Sequence, residues 1–318
     1  MIVVLDHFYI VLGLMLGVVA LMNLTDKHNP RRYSSALFWA LYATIYLVGE
    51  RIDPAIAGAL MILMALIAGF GGVQLGKYHG LPQEQRESSA RRLGHRLFIP
   101  ALIIPVTTML GSTLLKEVKL DGMFLFDPKN LTLISLGFGA LFAVAAACWM
   151  TRSTPLQAMR ESRRLTDAMG WAVVLPHMLA VLGLLFADAG VGKAVAHLTT
   201  SYINMDSRLV AVAVYCVGMA LFTIIMGNGF AAFPVIAGGV GIPILIGVYH
   251  ANPAVMAAIG MFSAYCGTLM TPMAANFNIV PAALLELPDK NAVIKAQIPT
   301  ALPILVVNIG LLYFLMNV

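Results

Sequence analysis

Residues 227–229 read Gly-Asn-Gly, and further on the chain reads Cys266, Gly267, Thr268, Thr271, Pro272, Asn276 and Asn278 within thirteen positions. These groups lie in Leu209–Leu285, a run without a single Asp, Glu, Lys or Arg. Neutral hydroxyls and amides of this kind hold solutes rather than cleave bonds, because an amide both donates and accepts hydrogen bonds and a hydroxyl does the same. Where such residues interrupt a helix, the broken ends turn backbone N–H groups toward anions and carbonyls toward cations. The substrate-binding candidates are therefore Gly227, Asn228, Gly229, Thr268, Thr271, Asn276 and Asn278. A weakly held monovalent cation has its candidates in Gly227, Cys266, Thr271 and Asn276, a set without any carboxylate.

Gly and Pro also make plain packing kinks in membrane helices, and Thr commonly bonds its own helix. Two adjacent interrupted segments, one with two Asn close together, favour a site instead. An amide left unpaired in lipid would cost on the order of several kcal/mol. No nucleophile–base pair, clustered acid or His/Cys metal-ligand spacing is present, so neither an enzyme nor a cofactor is expected.

What must position these residues is a set of membrane helices. Hydrophobic residues make up 60% of the 318 and charged residues only 11%, where a soluble domain carries roughly a quarter. Apolar runs of span length are predicted at Phe8–Leu24, Tyr33–Gly49, Pro54–Val73, Leu97–Leu115, Leu131–Met150, Trp171–Ala187, Leu209–Met226 and from Gln297 onward. The fold class is all-α, a polytopic transmembrane helical bundle. The net charge of +5 does not point to nucleic acid, because the basic residues sit in short loops and form no aromatic-interleaved face.

Twelve of those basic residues fall on one side: Lys27, Arg31 and Arg32; Lys77, Arg86, Arg91, Arg92 and Arg96; then Arg152, Arg160, Arg163 and Arg164. Six fall on the other, Arg51, Lys116, Lys119, Lys129, Lys193 and Arg208. The asymmetry puts the first set in the cytoplasm and the N-terminus outside, in a bacterial inner membrane. No basic residue precedes the first span, so it is expected to be an uncleaved helix. Cys148, Cys216 and Cys266 all lie in apolar segments and suggest no disulfide framework.

Gly227, Gly229, Pro234, Gly238, Gly239, Gly241 and Pro243 are too dense for one straight helix. Residues 227–250 are expected to form a re-entrant hairpin, and residues 254–285 a helix broken before Pro272. The chain is expected to be one membrane domain, with scaffold-type helices over 1–168 and a transport repeat over 169–318. Gly190–Ser207 is too polar to span and reads either as an interfacial amphipathic helix or as an ordered loop. Residues Pro100–Thr113 give a proline-kinked scaffold helix or a degenerate counterpart of the later repeat.

The runs MGNGFAAFPVIAGGVGIP (226–243), YCGTLMTPMAANFNIVPAALLE (265–286) and GWAVVLPHMLAVLGLLF (170–186) resemble one subunit of the two-subunit 5-oxoproline (pyroglutamate) transporters. That family is similar to a split member of the ion transporter superfamily of carboxylate carriers. The resemblance implies a second, shorter membrane subunit, uptake of a small carboxylate, and Na⁺ or H⁺ as coupling ion. A structural subunit of a carrier for another organic anion and a channel-like permease are the alternatives. Among titratable groups, His177 and His250 lie within spans and are the proton-relay candidates. Asp6, His7 and Asp188 read as solvated span ends, and Glu286 as a cap or gate.

Overall fold

The structure, a computed structural model, describes residues 2–74, 76, 82–116, 118–120 and 123–317, with the side chains of 83, 120, 171, 187, 200 and 276 outside the description. Lys77, counted above among the basic loop residues, lies outside the described residues. The helices are α1 (Leu5–Thr25), α2 (Arg32–Val48), α3 (Pro54–Gly69), α4 (Gln83–Leu93), α5 (Phe98–Leu114), α6 (Leu131–Thr151) and α7 (Pro155–Met169). They continue with α8 (Leu175–Asp188), α9 (Val191–Tyr202), α10 (Arg208–Met226), α11 (Gly229–Ile236), α12 (Pro253–Thr268), α13 (Ala275–Leu284) and α14 (Ala292–Leu315). Apart from a two-residue ladder pairing Lys119–Leu120 with Met123–Phe124, the described elements are helical. Six helical stretches are long and apolar enough to cross a membrane, and a bent pair makes up to seven. The chain is a multi-pass, all-α membrane protein.

Two compact units divide the chain, Met1–Gly170 and Trp171–Val318. In the first, α1 and α2 pair around Val19, Phe38, Trp39 and Tyr42, all buried. Local chemistry sets the helix starts: Asp53 accepts from the Ala55 amide ahead of α3, and Thr154 from the Gln157 amide ahead of α7. Pro54 and Pro155 then occupy the first helical turn, where no intrahelical N–H is needed. Residues Pro100–Thr113 lie within α5 as one continuous helix around Pro105, and the Thr108 and Thr113 hydroxyls donate back to the carbonyls of Ile104 and Met109.

In the second unit α10 is the central element, packed by α11, α12 and α14 around Val212, Tyr215, Met219, Ala264 and Leu312. Gly260 lets the Tyr215 ring lie against α12, and Gly267 lets α12 rest on the Ala220 carbonyl. A Cβ at either would overlap those atoms. At the start of α10 Arg208 donates to the Tyr313 carbonyl and lies over the Tyr313 ring, tying α10 to α14.

One expectation needs adjusting here. Residues 229–246 do not turn back as a hairpin; α11 runs directly into a π-helical segment, 237–246, and together they make one 18-residue apolar helix. The wider π register gives i→i+5 bonds, as from the Gly247 amide to the Ile242 carbonyl, and accommodates Pro243 without ending the helix. The glycines serve close packing rather than chain reversal: Gly239 meets the Gly192 backbone of α9, and Gly241 meets Tyr215 and Met256. The bend falls instead between Leu175–Phe186 and Val191–Thr199, which meet at 67°. Gly190–Ser207, open between helix and loop, contains α9, with Gly190 in the left-handed region at its N-cap.

Candidate functional site

The break near Pro272 is present. Helix α12 ends at Thr268, residues 269–274 are non-helical, and α13 begins at Ala275. On the other side of the same space, α10 ends at Met226 and α11 begins at Gly229. Gly227 joins those helices at φ +70°, a left-handed conformation that L side chains rarely adopt. A Cβ at Gly227 would stand 2.6 Å from both the Cβ and the carbonyl oxygen of Met273, so the two breaks touch at this glycine. Asn228 caps α11, its Oδ1 accepting from the Phe230 amide at 2.8 Å.

A cavity of about 310 Å³ opens where these ends meet. Its wall takes in Gly227, Asn228, Gly229, Thr268, Ala274 and Ala275, with Pro176 of α8 and the aromatic rings of Phe230, Tyr265 and Phe277 also facing it. No charged side chain lines it among the described residues. The N-terminal turns of α11 and α13 both border the space, and the first amides of a helix have no intrahelical acceptor. At α13 the N-cap is Ala274, whose side chain cannot cap them. The wall therefore offers backbone N–H groups, two positive helix ends and apolar surface, a setting for a small anion with an apolar body.

Four of the sequence candidates, Gly227, Asn228, Gly229 and Thr268, share this cavity. Thr271 and Asn278 stand behind it and hold the break in shape. The buried Thr271 hydroxyl donates to the Ile224 carbonyl at 2.8 Å, and the Met273 amide donates to it at 3.2 Å. Asn278, fully buried, donates from Nδ2 to the Thr268 and Thr271 carbonyls at 2.8 and 2.6 Å. Those carbonyls belong to the end of α12 and the break, where helical partners are missing. Its Oδ1 is buried with no hydrogen-bond partner among the described residues. The side chain of Asn276 lies outside the described residues. Cys266 is buried against α14, where Asn308 Nδ2 donates to its sulfur at 3.7 Å. A neutral thiol is a poor ligand for a hard monovalent cation.

Asn278→Ala is expected to cost about 2–4 kcal/mol, because two buried carbonyls lose their donor. Thermal unfolding of the purified protein checks this, and an unchanged melting temperature would show that the amide does not brace the break.

His177 is exposed, with Nδ1 3.2 Å from the Val173 carbonyl of its own chain segment, and His250 sits exposed at φ +54° beyond the π-helical segment. Asp6, His7, Asp188 and Glu286 are also exposed. His7 Nδ1 accepts from the Val4 amide at the start of α1.

A second polar constellation escaped the sequence reading. Arg163 of α7, read only as a loop cation, is buried in the first unit. It bonds Asp26 Oδ2 at 2.7 Å and Asn23 Oδ1 at 3.1 Å, and its Nε lies 3.4 Å from Asp167 Oδ2. Asp167 Oδ1 accepts from Trp39 Nε1 at 2.7 Å and from Asn23 Nδ2 at 3.0 Å. Burial pushes the Asp26 carboxyl upward, but the Arg163 hydrogen bond, the His28 amide and the charges of Arg163 and His28 outweigh it and hold it below the usual aspartate range. Asn23, a polar residue ending an apolar helix, and the i,i+4 spacing of Arg163 and Asp167 were the available signals. No group of three or more His, Cys, Asp or Glu side chains able to hold a metal ion occurs among the described residues.

A family model described as "Protein of unknown function (DUF979)" matches the chain over residues 6–317. No curated protein and no solved structure matches it.

Proposed function

The chain belongs to the DUF979 family, and from that premise we propose that it is the substrate-holding subunit of a secondary transporter for a small carboxylate, 5-oxoproline. The observation that carries this reading is the charge-free cavity bordered by the N-termini of α11 and α13. A carboxylate there would take the uncapped amides, the lactam would meet the Asn228 side chain, and the ring would lie against Phe230, Tyr265 and Phe277. The resemblance of residues 170–186, 226–243 and 265–286 to the pyroglutamate transporters supplies the substrate. No catalytic arrangement is needed for this role, and the chain works as a carrier rather than an enzyme.

A second, shorter membrane subunit completes the carrier, and the basic loops face the cytoplasm. The coupling ion is sodium, held by neutral oxygens near the break, with Asn278 Oδ1 as one ligand. On this mechanism His177→Gln and His250→Gln keep sodium-driven uptake within about twofold of wild type, since neither exposed imidazole carries the coupled charge. Initial-rate uptake with sodium or pH gradients checks it; loss of uptake in either variant would favour proton coupling.

The test of function is uptake of labelled 5-oxoproline into proteoliposomes holding both subunits, either one, or neither. Saturable, ion-dependent uptake with both subunits supports the proposal. Gradient-independent flux would favour a channel, and full activity without this chain would leave it a structural role.

A further inference from the structure

The first unit carries two adjoining cavities that the proposed transport site does not use. One, about 340 Å³, lies between α4 and the α6–α7 junction and is faced by Arg92, Arg152, Ser88, Ser89, Ser153 and Gln157, with no carboxylate in its wall among the described residues. Neither arginine makes an ion pair among the described residues. The other, about 400 Å³, shares Ser89, Thr151, Ser153 and Gln157 with the first and extends onto Ala90, Leu97, Ala147 and Cys148, with Arg86 and Glu161 also in its wall; the Glu161 carboxylate is paired with Arg164 at 2.9 Å. A polar basic pocket thus adjoins one whose wall includes an apolar part made by Ala90, Leu97, Ala147 and Cys148.

Their place in the fold is the end of a membrane span. Helix α6 crosses as Leu131–Thr151 and stops at Arg152, which takes the left-handed conformation at φ +57°. Trp149, one turn earlier, is 83% exposed, where an indole belongs at a lipid headgroup boundary. Across the cavities, Arg86, Arg91, Arg92 and Arg96 lie immediately before the span of α5. The N-terminal turn of α7, starting at Pro155 beside Ser153, adds a positive helix end.

We propose that these paired cavities bind one anionic phospholipid, its phosphate between Arg92 and Arg152 and an acyl chain along Leu97, Ala147 and Cys148. The recognised chemistry is a phosphate oxyanion, which guanidinium groups and hydroxyls bind well. The apolar part of the adjoining cavity, Ala90, Leu97, Ala147 and Cys148, and the span end select a lipid over a free phosphate. Basic clusters at span ends bind anionic headgroups in this way.

The experiment is native mass spectrometry of the detergent-purified full chain, titrated with phosphatidylglycerol, phosphatidylcholine of matched acyl chains, or inorganic phosphate. Phosphatidylglycerol should be retained at least about tenfold better than phosphatidylcholine. Arg92→Gln/Arg152→Gln should weaken that retention roughly thirtyfold, each arginine contributing about fivefold. Arg51→Gln/Lys129→Gln, which removes the same charge from residues outside both cavities, should leave it unchanged. Both altered arginines are exposed, so matched melting temperatures verify folding. Equal retention of the two lipids, wild-type retention by the arginine variant, or equal losses in both double variants would overturn the proposal. Displacement of the lipid by millimolar phosphate would also overturn it, identifying a soluble-anion site.

Discussion

Replacing Arg163 by methionine is expected to destabilise the first unit by about 3–5 kcal/mol, the usual result of removing one partner from a buried ion pair. The guanidinium bonds Asp26 and Asn23 and lies against Asp167, whereas the exposed His28 ring reaches only Asp26, at 3.8 Å, so two carboxylates would remain where the guanidinium stood. The pH dependence follows from the depressed Asp26 carboxyl. A folded-state value below the unfolded one contributes stability that is present above the ordinary aspartate range and disappears as pH falls through the folded value. Wild-type protein should therefore lose stability on acidification below that range, and Arg163→Met should show a shallower acid limb. Arg163→Met/Asp26→Asn should recover part of the loss, since one stranded charge is gone. Thermal melts of the three proteins across pH check all three expectations. A single variant as stable as wild type would show that the cluster carries no net weight.

Gly227→Ala is the second large effect. An alanine would have to hold φ near +70° and place its Cβ 2.6 Å from Met273 backbone and side-chain atoms. The conformational part alone costs on the order of 1–2 kcal/mol. The overlap cannot be relieved by a flexible side-chain tip, because the Met273 carbonyl is backbone. The α10–α11 joint must move away from the 269–274 break, and with it the two helix ends that border the cavity. Uptake should fall at least about a hundredfold, while Gly218→Ala in the middle of α10, where a Cβ makes ordinary contacts at 3.8 Å, should remain near wild type. Equal uptake by both variants would detach the joint from function.

Much of the architecture was legible because lipid imposes long apolar runs. Residues Leu131–Met150 were expected to span and α6 covers Leu131–Thr151; Leu209–Met226 were expected and α10 covers Arg208–Met226. The break at 269–274 could be read because Pro272 cannot continue a helix and polar groups cluster around it. Residues 229–246 misled because glycine density has two causes that look alike in sequence, chain reversal and close helix approach. Only the Gly239–Gly192 and Gly241–Tyr215 contacts distinguish them. Helix α7 was missed for another reason: its arginines were counted as orienting charges. The Arg163 contacts with Asn23 and Asp26 join residues about 140 positions apart, a pairing that no local spacing reveals. The division of labour at the break was equally hidden. Sequence could gather Thr268, Thr271 and Asn278, but not show that Thr268 borders the cavity while the other two brace its wall.

The cavity between the α11 and α13 ends is the centre of the account, and thiol protection tests it most directly. Cys216 and Cys266 are buried, so in a Cys148→Ala background a cysteine placed at Phe230, which is 70% exposed and faces the cavity, should dominate the reaction with a water-soluble thiol reagent. In membranes that take up 5-oxoproline, saturating 5-oxoproline should slow labelling of Phe230→Cys at least about tenfold. It should leave Leu285→Cys, exposed but outside the cavity, unaffected. Unprotected labelling of Phe230→Cys at concentrations that saturate uptake would contradict the placement of the substrate in this cavity.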